Sequence, residues 1–186
     1  MMDIEKVFIQ HADGVKVPFY AHESDAGMDV IATEDVVIAP GATKAVSTGI
    51  FVAIPEGYEI QVRPRSGVSL KTHLRVANAP GTIDAGYRGE VKVLLTNTSP
   101  DYTWVDDSTI KRIKDDDNKY ILDISDCNSD GEKCSCGFYK IKAGDRIAQL
   151  VLCKVYKAAF EEVSDINTIK LDDRGSGGFG STGIKA

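Results

Sequence analysis

The sequence predicts an all-β protein, a sandwich, jelly roll or barrel, on three observations. Its apolar residues fall in short runs rich in β-branched side chains, those runs are separated by turn dipeptides at close intervals, and helix-period patterning is sparse. A chain of 186 residues, 42% hydrophobic, is long enough for one domain with a real core and too short for two comfortable ones.

Taken in order, the strand-like runs are VVIA at 36–39, KAVSTGIFVAI at 44–54, YEIQVR at 58–63, EVKVLLTN at 90–97, YILDI at 120–124, FYKIK at 138–142 and RIAQLVLCKVY at 146–156. Pro40-Gly41 and Pro55-Glu56-Gly57 supply turns between the first three. Two segments carry weak helix signals: 69–76, where a turn or two fits after Gly67, and 160–163. Neither has the length of a packing helix. No internal repeat is visible.

Charge and ends narrow the function classes. A net charge of −6 argues against a general nucleic-acid or membrane-surface binder, so a small phosphorylated ligand needs locally placed cations. No apolar stretch reaches the length of a membrane span, and MMDIEKVFIQ carries acids where a signal peptide carries cations. A soluble, cytoplasmic protein is expected. Cys127, Cys134, Cys136 and Cys153 are too few and too clustered to staple a domain of this size.

Two segments fall outside the strand pattern. From Arg174 to Gly183 half of the residues are glycine, with Arg174, Phe179, Gly180, Ser181 and Thr182 among them. Ordering such a run costs about 1–2 kcal/mol per residue, so it is expected to settle only on a ligand. A guanidinium and two hydroxyls beside free backbone N–H groups suit phosphate oxygens, and a phenyl face suits a base. The same composition also describes a frayed terminus, and the lysine of a Walker-type loop is absent. The second segment, at about 101–138, is acidic: residues 99–140 hold ten Asp or Glu against six Lys or Arg. The expected organisation is therefore a β domain over 1–172, interrupted at about 101–138, and an arm at 173–186.

Four further constellations carry chemistry. RPRSG at 63–67 follows a strand and gathers Arg65, Ser66 and Gly67 where backbone approaches an anion, or forms a turn with solvated arginines. The run at 78–90, NAPGTIDAGYRGE, reads as a β-hairpin in which Asp84 lies beside apolar Ile83, as a base toward water or as a turn cap. SDAGMDV at 24–30 puts Asp25 and Asp29 on a turn into a strand, as holders of a hydrated Mg²⁺ or as turn formers. GDRIAQL at 144–150 begins as a turn and continues as a strand bearing Gln149, a ligand donor or an ordinary strand residue.

These four runs and RGSGGFGSTG at 174–183 resemble the five motifs of the trimeric dUTPase family, in order. The resemblance spans about 17–97 and 139–183, with mild departures such as Val30 where leucine is usual. It does not reach the acidic insert. It implies a jelly-roll-like β-sandwich subunit with a mobile glycine-rich arm, in a three-fold homotrimer that hydrolyses dUTP to dUMP and pyrophosphate. That reaction keeps uracil out of DNA and supplies dUMP for thymidylate synthesis. Asp84 is implied as the base for water attacking the α-phosphorus, and Mg²⁺ as the cofactor on the triphosphate, held through water by Asp29. The resemblance assigns Arg65, Ser66, Gly67 and Gln149 to the phosphates, and Arg174, Gly180, Ser181 and Thr182 to closure over them. Phe179 stacks on uracil. Asn78, Gly81 and Lys92 read the uracil edge, and Tyr87 excludes a 2′-hydroxyl.

Two alternatives stand beside this reading. One is a dCTP deaminase relative, which needs an acid–base glutamate and an amino-group pocket. The other is a nucleotide-switched regulatory protein with the insert as its contact surface. The acidic face of the insert suits a basic protein partner, or keeps a long hairpin soluble. Cys127, Cys134 and Cys136 depart from the paired C-x₂-C of common zinc sites.

Overall fold

A computed structural model describes residues 5–99, 122–127 and 133–169. Residues of the terminal arm and most of the acidic insert lie outside these, as do the side chains of Cys127, Cys134 and Cys136. The chain divides into two units, Met1–Val155 and Tyr156–Ala186.

Among its described residues the first unit has three antiparallel sheets. One has the order β1-β4-β8-β6, from Phe8–His11 (β1), Thr43–Ala53 (β4), Glu90–Asn97 (β8) and Leu74–Val76 (β6). The second has the order β2-β11-β5-β7, from Met28–Ile31 (β2), Arg146–Lys154 (β11), Tyr58–Arg63 (β5) and Gly81–Asp84 (β7). The third pairs Val36–Ile38 (β3), Lys133–Ile141 (β10) and Leu122–Cys127 (β9) in the order β3-β10-β9. This is the all-β, jelly-roll-like arrangement that the short β-branched runs predict.

Period-two alternation builds the core. In β8, Val91, Val93 and Leu95 point inward while the alternate residues Lys92, Leu94 and Thr96 face the other way. The inward three meet Ile60 and Val62 of β5, Ile83 of β7 and Ile147 and Leu150 of β11 in one cluster. Burying aliphatic side chains of this size contributes about 1.5–3 kcal/mol each. At the end of β8 the alternation brings a polar residue inside: Asn97 is fully buried. Its amide donates to the carbonyls of Ile38 (3.0 Å) and Gly137 (2.6 Å), and its oxygen accepts from the N–H of Ser99 (3.0 Å). One side chain thus ties both stems of the insert to β3.

Four expectations are corrected. The helix after Gly67 is Ser66–Lys71 (α1), earlier than 69–76, because Thr72 ends it. The Thr72 hydroxyl donates to Val68 O at 2.7 Å, and the chain beyond turns extended to pair with β8, burying Leu74 and Val76. Residues 160–163 are not helical; Phe160 is 96% exposed, with no apolar partner among the described residues to stabilise so short a helix. Among its described residues the second unit instead has a 3₁₀ turn, Ile166–Thr168, capped by the Asp165 carboxylate accepting from Asn167 N (3.0 Å).

The run at 78–90 is not a hairpin. β7 pairs with β5 and β8 with β4 and β6, so this segment is a corner that carries the chain from one sheet to another. Both strands bury alternate residues, and separate sheets allow both to face one core. Finally, β10 runs through the expected end of the insert: Phe138 is buried and Tyr139 pairs with Ile38.

Candidate active site

The motif residues gather in two groups on the β2-β11-β5-β7 sheet. The first group surrounds Asp29. Cross-strand register puts Asp29 of β2 opposite Gln149 of β11, and Gln149 opposite Arg63 of β5. Arg65, two residues past that strand, turns back to the same carboxylate. Its Nε donates to Asp29 Oδ1 at 2.8 Å and its Nη2 to Oδ2 at 3.3 Å. Arg146 Nη1 donates to Oδ2 at 3.2 Å, and Gln149 Nε2 to Oδ1 at 3.4 Å. Two guanidiniums around one carboxylate leave a net positive cluster, and Arg146 is 56% exposed. Such a forked array suits phosphate oxygens.

Local sequence explains the geometry. Gly27 lies against Gln149: a Cβ there would stand 3.3 Å from Gln149 Cβ, so a side chain would press on the amide. The turn before β11 is held by Lys142 N donating to Asp145 Oδ2 (2.8 Å) and Ala143 N to Asp35 Oδ1 (2.9 Å). The Asp145 carbonyl accepts from Ala32 N (2.9 Å), which fixes the start of β11 beside β2 and delivers Arg146. Burial pushes the Asp145 carboxyl above its usual range, outweighing the Lys142 N–H and charge, and Asp35 adds to the rise. Asp25 caps the preceding turn, accepting from His22 N at 2.9 Å.

The second group lies at the corner between β7 and β8, around a pocket of about 380 Å³. Asn78, Gly81, Asp84, Tyr87 and Lys92 all line it. A Cβ on Gly81 would come within 3.0 Å of Asn78 Nδ2, so glycine keeps that wall open. Asp84 ends β7 and projects outward while Ile83 is buried. It is not a lone carboxylate beside apolar surface, as the sequence suggests: Glu59 of β5 stands directly opposite it. Tyr87 N donates to Asp84 O at 3.0 Å, and Arg88 Nη1 braces the turn on the carbonyls of Ala85 (2.6 Å) and Tyr87 (2.7 Å).

Glu90 closes this corner. Its Oε1 accepts from Thr48 N (3.1 Å) and Gly49 N (2.9 Å), and its Oε2 pairs with Lys92 Nζ at 3.3 Å. Desolvation pushes the Glu90 carboxyl up, but the Gly49 N–H, the Lys92 ammonium and the Thr48 N–H outweigh it and hold the group below its usual range.

The two groups do not meet within one chain. Gln149 pairs at Arg63, whereas Asp84 pairs at Glu59, four residues back along β5 and on its other side. Ordinary strand geometry sets them roughly 16 Å apart. Arg174, Phe179, Gly180, Ser181 and Thr182 lie outside the described residues. Sequence reasoning did not single out Arg146 or Glu90. A cation opening the strand that bears Gln149 was the available signal for the first; the second was not marked by its local pattern, because the amides its carboxylate receives are some forty positions away.

Among the described residues no set of three or more His, Cys, Asp or Glu side chains could hold a metal ion, and no helix is long and apolar enough to cross a membrane. Asp29 is taken up by guanidiniums and is not a bare inner ligand.

Fold and site together define an all-β protein of the phosphorylated-ligand class, with a cationic cluster near one edge of a sheet and, at the other, a small pocket whose apolar walls carry Asn78, Asp84, Tyr87 and Lys92. A family model described as dUTPase matches residues 13–106 and 134–183, and the chain belongs to the dUTPase family. Among curated relatives, the deoxyuridine 5′-triphosphate nucleotidohydrolase of Zymomonas mobilis is 42% identical over 176 residues, covering 95% of this chain and 94% of that one. The enzyme of that name from Thermobifida fusca is 42% identical over 167 residues, covering 90% and 72%. Among solved structures, the dUTPase of Staphylococcus bacteriophage 80alpha with dUPNHPP superposes with a TM-score of 0.74 at 30% identity, covering 97% and 100%. The dUTPase of phage phi11 of S. aureus, with its species-specific insert, gives 0.65 at 28% identity, covering 89% and 100%. Another phi11 structure carries a structural Mg(II) ion.

Proposed function

We propose that this chain hydrolyses dUTP to dUMP and pyrophosphate in a homotrimer whose sites are shared between subunits. The observation that carries this reading is the division of the motif residues into two groups roughly 16 Å apart on one sheet. Within one protomer Asp84 and the Arg65–Gln149 cluster stand well apart for two groups that serve one phosphate chain. Two protomers can bring them together, with the pocket of one facing the cationic cluster of the next and the 173–186 arm supplied by a third.

In this reading the α-phosphorus is attacked by water from which Asp84 takes the proton; its outward projection from the end of β7 leaves the carboxylate open to that water. Arg65, Ser66, Gly67 and Gln149 hold the phosphate oxygens, and Arg146 adds a second guanidinium there. Positioning and charge neutralisation supply most of the rest, as is general for phosphoryl transfer. Asn78, Gly81 and Lys92 read the polar edge of uracil, where a mispaired buried group discriminates strongly. The Tyr87 ring packs on deoxyribose and excludes a 2′-hydroxyl. Arg174, Gly180, Ser181 and Thr182 close over the phosphates and Phe179 stacks on the base.

A hydrated Mg²⁺ fits this site as an ion chelated by the substrate phosphates, since it keeps several waters and needs only one or two carboxylates. Asp29, engaged by two guanidiniums, would reach it through water. When bound, the ion neutralises phosphate charge.

Pyrophosphate release measured for dUTP, dCTP, dTTP and UTP, with and without Mg²⁺, tests the reading. Turnover of dUTP in large preference to the other three is expected. Ammonia release from dCTP, or no turnover of dUTP with Mg²⁺ present, would overturn it.

A further inference from the structure

Where β4 passes β8, its register slips between Ser47 and Phe51. The slip leaves backbone donors without ladder acceptors, and such groups need partners when shielded from water. At Gly49 the chain takes φ +66, and a Cβ there would stand 2.9 Å from Val15 Cγ2, so the bulge calls for glycine and leaves no room for a side chain. Its two amides, Thr48 N and Gly49 N, both point at Glu90 Oε1 (3.1 and 2.9 Å). The buried Thr48 hydroxyl donates to Val91 O, the next residue along β8.

The same residue is gripped from its other end. Tyr87 Oη donates to the main-chain carbonyl of Glu90 at 3.0 Å. The phenol lies so close over Gly89 that a Cβ there would meet Tyr87 Oη at 2.4 Å. Ring, notch and carbonyl therefore form one unit, whose anchor to the sheet is the Glu90 carboxylate on the β4 bulge.

We propose that Glu90 is a positioning residue for sugar selection: by clamping the β4 bulge with its carboxylate it fixes the carbonyl that holds Tyr87, and so fixes the ring at the mouth of the pocket. Glu90 touches no reacting atom. It acts through Tyr87, and so depends on the reading above in which that ring excludes a 2′-hydroxyl. The Oε2–Lys92 ion pair is a separate contact, on a side chain that is half exposed.

Three substitutions separate these contacts. Glu90→Gln keeps an oxygen for both amides and loses the ion pair. Glu90→Ala leaves the amides without an acceptor. Tyr87→Phe keeps the ring and loses only the tether. The readout is the ratio of kcat/KM for dUTP to that for UTP, measured on the full-length protein with Mg²⁺. Glu90→Ala and Tyr87→Phe are each expected to lower the ratio about tenfold, and Glu90→Gln less than about threefold. The Glu90→Ala/Tyr87→Phe double variant should fall no further than either single, because both act through one contact.

A wild-type ratio in Glu90→Ala or in Tyr87→Phe, with Tyr87→Ala still relaxed, would overturn the role of Glu90 and leave the role of the ring standing. Should Glu90→Ala fail to fold, Glu90→Asp, whose shorter side chain falls short of the two bulge amides, takes its place with the same expected fall. A wild-type ratio in Tyr87→Ala would overturn both.

Discussion

Arg65 grips Asp29 with two donors, Nε at 2.8 Å and Nη2 at 3.3 Å, across thirty-six positions of sequence. The fork is held flat against one carboxylate, which also receives Arg146 and Gln149. Asp29 thus orients Arg65, Arg146 and Gln149, the side chains proposed to face the phosphates.

Asp29→Asn is expected to lower kcat/KM for dUTP by about 10- to 100-fold, the range for losing charged hydrogen bonds. The amide keeps one acceptor but cannot hold two guanidiniums. Steady-state kinetics with saturating Mg²⁺ checks this, and Arg65→Lys, which cannot fork, should fall in the same direction.

Asp84→Asn should still bind dUTP while kcat falls by about 10²–10⁴-fold, since an amide hydrogen-bonds water but cannot take its proton. Binding of a non-hydrolysable dUTP analogue by calorimetry and turnover by pyrophosphate release separate the two effects. If kcat stayed within a few-fold of wild type, the base would be elsewhere.

Asp145 has its folded-state pKa raised, chiefly by burial. A raised carboxyl favours folding below its unfolded value and loses that contribution as pH climbs through the folded one. Asp145→Asn keeps an acceptor for Lys142 N and removes the desolvated charge. Its Tm should therefore exceed that of wild type near pH 7, with the gap closing as pH falls toward the ordinary carboxylate value of 3.8.

Replacing residues 107–133, the internal stretch unmatched by the family model, with a short turn should retain dUTP hydrolysis within several-fold. Asn97 already fastens both stems, at Ser99 and Gly137, and closing a shorter loop costs less entropy. The cut leaves Phe138–Ile141 in place, where β10 meets β3. Loss of activity or of the oligomer in size-exclusion chromatography would show that the insert is part of the enzyme.

Much of this protein was legible in its residues, because strands advertise themselves locally. Alternation in EVKVLLTN reports one buried face, and the core of β8 follows from it. The chemistry-bearing runs were legible for a related reason: small residues and charges at a turn show that backbone must approach something. What local pattern could not determine was pairing, which depends on which distant strand offers the better apolar face. The run at 78–90 contains everything a hairpin needs, yet β7 joins β5 and β8 joins β4 and β6, and Ile83 and Val91 reach the one core from different sheets. Tertiary structure likewise decided that Asp29 belongs to Arg65 and Arg146, that Glu59 stands opposite Asp84, and that Glu90 seals a bulge forty residues away. Each is a contact between elements, and only folding sets its distance.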